Sequence, residues 1–208
     1  MSCFFILRSK LPDTPFEFLI SQITNGYVHS ECILLGIKPE LAQFVFTIYA
    51  HGKVECKKIE YIDIMNTEDL WDNLILPLSR DEGESMFKIL MDFHAHGIEY
   101  NYSDSRLLLP LFNCFDDNPF IEDVPVGMDV GKIKKVFCSQ MITIALRESL
   151  ENENEGMNSD LKGKILKVNS RLISPGNLRA IVAEYSKGLS AQELWERIQY
   201  FKETGNVL

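Results

Sequence analysis

The sequence predicts an α+β fold in which helices pack on an antiparallel sheet. Two observations lead there. Runs rich in β-branched and aromatic residues fill the first half, and helix-period apolar stripes behind serine caps fill the middle and the tail. "GYVHSECILLGI" (26–37) alternates and then turns apolar, "AQFVFTIYA" (42–50) has strand composition, and "VECKKIEYIDI" (54–64) follows a turn at "HGK". The turns of this meander fall at Gly36–Pro39 and His51–Lys53.

The period then changes. Ser79 stands three residues before Glu82, a capping box, and Met86, Leu90 and Phe93, with Phe87 beside them, form a helical stripe that ends near Gly97. Residues 98–131 mix proline and glycine with short apolar runs and read as a long irregular connection. "KIKKVF" is a short amphipathic strand, and the helix after it carries Met141, Ile142, Ala145 and Leu146 on one side. The acidic run 148–160 is expected to be a solvated helix end and loop. In the tail, Ser174 caps a helix with Pro175 at its first position and Gly188 as its stop. A Ser190/Glu193 capping box opens a last helix with Leu194, Ile198 and Phe201 on one face. No internal repeat is present.

A chain of 208 residues is one domain, or one domain with an appendage, and buries a sizeable core. With 46% hydrophobic and 25% charged residues it has an ordinary globular composition. A net charge of −9 argues against nonspecific nucleic-acid binding, because no excess of cations displaces phosphate counterions. The start, "MSCFFILRSK", is too short in apolar residues for a signal peptide, and no run approaches the roughly 18–20 residues of a membrane span. Five scattered cysteines (3, 32, 56, 114, 138) form no CxxC pair, so a reducing intracellular setting is the expectation. His94 and His96 lack a second ligand pair for zinc, and no Walker, GxGxxG or GxSxG motif occurs, so no metal and no cofactor is expected.

The chemistry-bearing candidate is Cys138 in "KKVFCSQMITIALRE". Cysteine is among the most buried residue types, so a core role is the bland reading. A helix that begins at 138–139 gives the sharper one: free N–H groups and the helix dipole there favour a thiolate. A nucleophile needs a base. His94 and His96 lie at a helix C-terminus and His51 in a turn, whereas His29 lies within a strand. Alternation puts Glu31 on the face of His29, at an i, i+2 spacing of about 6.6 Å.

The order of "YVHSE", "IYAHGKVECKKI", "GIEYNY" and "VFCSQMITIAL" resembles the circularly permuted NlpC-type papain-like cysteine hydrolases. These include YiiX-like bacterial proteins and proteins of large eukaryotic DNA viruses, with lecithin:retinol acyltransferase as a more distant relative. The resemblance covers residues of about 20–150 and reaches weakly into "SRLISPGNL"; the region from about 160 to 208 reads as a helical extension. It implies a permuted papain-like sheet and thiol-based hydrolysis or transfer of an amide, peptide or lipid acyl bond, with Cys138 as nucleophile and His29 as base. Glu31 is the choice for the third position, with Thr47, Tyr49 and His51 behind it. Backbone N–H groups at the helix start, near Ser139, with a hydroxyl from Tyr100 or Tyr102, would hold the oxyanion. A cytoplasmic location, or a virion for a viral protein, goes with the resemblance. Two departures stand out: Gln140 replaces the frequent acid of "CSE", and "IYA" lacks the second-strand acid that orients the histidine in bacterial members. They motivate the alternative of a catalytically silent scaffold with a binding or virion role.

Overall fold

The computed structural model describes residues 3–49, 52–101, 123–151 and 159–208. Among these, seven α-helices accompany a six-stranded sheet that is antiparallel throughout. Its spatial order is β4 (Glu55–Lys58), β3 (Phe44–Thr47), β2 (His29–Leu35), β1 (Cys3–Lys10), β5 (Trp71–Leu78) and β8 (Lys187–Leu189). A separate two-residue parallel pair joins β6 (Glu99–Tyr100) to β7 (Lys135–Val136).

The sheet centres on β1, which pairs along its length with β2 and β5. Both of its faces are covered, so "CFFILRSK" is a continuous apolar run rather than an alternating one. Pleating sends Phe5 and Leu7 to one side and Ile6 and Arg8 to the other. The first side carries the larger core, built with α3 (Arg80–Ala95), α4 (Cys138–Glu151), α5 (Ser159–Ile165) and α6 (Pro175–Ala183). Met86, Leu90, Phe93, Met141, Ile142, Ala145 and Leu146, the expected stripes of α3 and α4, are all buried there. The second side carries a smaller core in which Leu194, Ile198 and Phe201 of α7 (Ala191–Thr204) meet Ile6, Ile33, Val45 and Ile75.

The capping chemistry is built as the sequence indicates. Ser79 accepts from the Glu82 N–H while the Glu82 carboxylate accepts from the Ser79 N–H, and Ser190 and Glu193 repeat the device on α7. Elsewhere the structure departs from the expectation. Residues 61–64, read as strand, fall in helix α2 (Tyr61–Met65), because Glu60 and Asp63 make a capping box. Helix α6 stops at Ala183, and Gly188 lies in β8 opposite Leu74. A further helix, α1 (Pro15–Ile23), is capped by Thr14 and begins on Pro15. With β1 and β8 in the sheet and α7 on its second face, segments on both sides of residues 20–150 are integral to it.

Contact between α6 and the end of α1 is close. The Gly176 N–H donates to the Thr24 carbonyl at 3.1 Å, and a Cβ at 176 would collide with the carbonyl oxygens of Thr24 and Asn25. Backbone cannot yield as a side chain can, so Gly176→Ala is expected to cost about 1–3 kcal/mol in urea unfolding. Gly163→Ala, at a position with open space around it, should not lower the midpoint.

Candidate functional site

Cys138 is the first residue of α4, as expected from the sequence, and its side chain is buried against the larger core. The peptide N–H groups of Ser30, Ser139 and Cys138 itself act on its sulfur. They pull the thiol toward ionisation. Burial outweighs them and, with a smaller contribution from the Glu31 charge, pushes it up to about 11. The helix start therefore does not yield a thiolate at neutral pH, contrary to the sequence expectation, because desolvation exceeds the combined effect of these donors. The hydroxyl of Ser139 is turned away from the sulfur and donates to the Ile173 carbonyl at 2.7 Å.

His29 opens β2. Its Nε2 lies 2.9 Å from Thr47 Oγ1, its ring stacks on Tyr49 at 4.5 Å, and the Trp71 ring meets its edge at 6.0 Å. Burial, reinforced by the charges of Lys10, Lys57 and Arg8, pushes its pKa down to about 3, so the imidazole is neutral. In the tautomer whose Nε2–H donates to Thr47, Nδ1 keeps a lone pair, as a general base requires.

Glu31 is joined to the imidazole by no hydrogen bond or ion pair among the described residues. Its cross-strand partner in the β1–β2 register is Arg8, and the two form an ion pair of 2.5 Å with each side chain only 2% exposed. Tyr49 donates to the other carboxylate oxygen at 3.3 Å, and the Thr47 hydroxyl also bonds the carboxylate. Burial raises the Glu31 pKa, with Arg8 opposing. Glu31, expected to orient the imidazole, is engaged by Arg8, because an unpaired guanidinium buried there would be costly, and Thr47, one of the alternatives, is the group within hydrogen-bond distance of His29. Arg8 also donates to Asn73 Oδ1 at 3.2 Å and lies over the Trp71 ring at 4.5 Å.

Alternation along β2 assigns Ser30, Cys32 and Leu34 to the face that carries α4, and His29, Glu31 and Ile33 to the face that carries α7. Cys138 and His29 therefore meet β2 at adjacent residues but from the two sides of the sheet, and no hydrogen bond joins thiol to imidazole among the described residues. Tyr100 lies on β6 in register with Val136, two residues before Cys138. Tyr102 and His51 lie outside the described residues.

Sequence reasoning missed Arg8, Trp71 and Asn73. The one signal was an arginine inside the apolar run "FFILRS", whose burial demands a carboxylate partner. Ser9 and Ser30, paired across β1 and β2, are also new: both hydroxyls are buried on the face of α4 without a hydrogen-bond partner among the described residues. Among the described residues no group of three or more His, Cys, Asp or Glu is arranged to hold a metal ion, and no helix is long and apolar enough to cross a membrane.

The fold and this cluster define an α+β protein with a buried thiol at a helix head and, on the other face of the sheet, a buried histidine in the strand against which that helix packs. No family model, no curated protein and no solved structure matches the chain.

Two outcomes follow. Glu31→Gln leaves Arg8 buried without a counter-charge and should cost about 3–5 kcal/mol, whereas Arg8→Met combined with Glu31→Leu should recover most of that, as read by urea denaturation of the double-mutant cycle. The folded state holds His29 neutral while the unfolded chain protonates near 6.5, so the stability this provides is complete above that pH and is lost as pH falls toward about 3. In His29→Gln the slope of stability against pH over this window should fall by up to about 1.4 kcal/mol per pH unit.

Proposed function

We propose that the chain is a thiol-dependent hydrolase or acyltransferase acting on an amide, peptide or lipid acyl bond, with Cys138 as nucleophile and His29 as its base. The observation that carries this reading is the packing of the head of α4 on β2, which brings Cys138 near enough to Ser30, the residue after His29, for that N–H to favour the thiolate. Two segments far apart in sequence converge there. The order of histidine strand and cysteine helix is that of the permuted papain-like enzymes, and Thr47, from the second strand, bonds His29 where bacterial members use an acid.

Because thiol and imidazole are both neutral at rest, the chemistry is general-base activation rather than reaction of a preformed ion pair. The imidazole leaves the face of Tyr49, takes the thiol proton at Nδ1, and the sulfur bonds the acyl carbon. Negative charge on the carbonyl oxygen is met by N–H groups of Cys138, Ser139 or Ser30. Collapse expels the amine or alcohol, which leaves with the proton held by His29, and water or a second nucleophile then cleaves the thioester. The Arg8–Glu31 pair fixes β1 against β2 and does not touch the reacting atoms. A free thiol nucleophile suits a reducing cytoplasm or the interior of an infected cell, and Cys3, Cys32, Cys56 and Cys138 are all free.

A second reading, a catalytically silent papain-like scaffold, is favoured by one specific observation: alternation points His29 to the face away from α4. Alkylation separates the two. Under native conditions at neutral pH, iodoacetamide should modify Cys138 at least about tenfold faster in the wild type than in His29→Gln, with Cys3 and Cys32 unreactive. For a silent scaffold the Cys138 rate would be equal in both proteins and climb about tenfold per pH unit, as for a lone thiol below its pKa.

A further inference from the structure

Residues 161–183 carry five cations, Lys162, Lys164, Lys167, Arg171 and Arg179, and no aspartate or glutamate, in a chain of net charge −9. Lys164 is neutralised by Glu184 and Arg179 by Asp72, whereas Lys167 has no carboxylate partner among the described residues. Lys167 borders a cleft of about 320 Å³ between the end of α5 and helix α6. Val168, Leu172, Ile173 and Ile181 supply its aliphatic wall, and Asn177 adds a polar group. The Asn177 N–H is taken by the Ser174 hydroxyl at 3.1 Å, while its side-chain amide makes no hydrogen bond among the described residues. The size is at the lower end of small-ligand sites, and the lining divides almost evenly between aliphatic and polar surface, which suits a ligand with both characters.

We propose that this cleft binds the C-terminus of a peptide ending in an aliphatic residue. Each part of such a ligand has a counterpart. The carboxylate faces the Lys167 ammonium in a segment of positive charge. A backbone amide meets the Asn177 side chain, which both donates and accepts. The aliphatic side chain lies against Val168, Leu172 and Ile181. Ile173 connects the cleft to the head of α4, since its carbonyl accepts the Ser139 hydroxyl. The binding does not depend on thiol chemistry, and Cys138→Ser retains it.

The test is an NMR titration of the full ¹⁵N-labelled chain with acetyl-leucyl-leucine as the free acid, with its C-terminal amide, and with decanoate. Shifts should be confined to residues 167–181, and the free acid should bind about fivefold tighter than the amide, the upper range for an exposed ion pair. Lys167→Glu should remove that preference. Ala180→Trp, at an exposed cleft position, should abolish binding of both peptides with an unchanged melting temperature; if it unfolds, Lys167→Glu carries the test. Equal affinity for acid and amide, no shift within 167–181, or decanoate acting on the same residues at lower concentration than the peptide would overturn the proposal.

Discussion

The buried ion pair between Arg8 and Glu31 is the constraint around which the second face of the sheet is arranged. Two charges in the sheet interior are tolerated only when each is paired and further hydrogen-bonded. The surroundings meet that demand. Asn73 takes the guanidinium Nε–H, Trp71 lies against the guanidinium plane, and Tyr49 and Thr47 serve the carboxylate. Once Tyr49 and Thr47 are held there, His29 has its position: ring on Tyr49, Nε2 on Thr47. The imidazole is a neighbour of the ion pair through these two residues rather than by direct contact.

The same balance of burial against donors governs Cys138. A helix N-terminus with three converging N–H groups is an anion-favouring place, yet the thiol is raised because the site is closed to water. A thiol held in this form is inert toward solvent oxidants, and reaction at its sulfur requires removal of the proton. Alternation along β2 puts the thiol and the imidazole on opposite faces of the sheet, so the acyl chemistry proposed for them requires the histidine to move.

Much of this was legible from local chemistry. The caps at Ser79, Ser174 and Ser190 and the stripes behind them located α3, α6 and α7, and the change from the short strand "KIKKVF" to a helix-period stripe located the head of α4. The central strands were not legible. In β1 and β5 both faces are buried, so period-two alternation is absent, and Pro77 interrupts the composition of β5. Missing β1 also hid Arg8, and with it the partner of Glu31. The i, i+2 spacing of His29 and Glu31 correctly puts them on one face, but contact across strands depends on register, which no local pattern encodes. Gly188 read as a helix stop because a lone glycine marks an end equally well in a helix and in a short edge strand.

The central claim is that Cys138 performs acyl chemistry with His29. Intact-mass spectrometry of the full chain after brief exposure to p-nitrophenyl acetate, with peptide mapping of the adduct, tests it most directly. The claim predicts a single acetyl group on Cys138 that forms in the wild type and is lost in His29→Gln, while a chain carrying Cys138→Ala stays unmodified. Acetylation spread over other residues at similar rates, or an adduct on Cys138 that forms equally fast without His29, would contradict it.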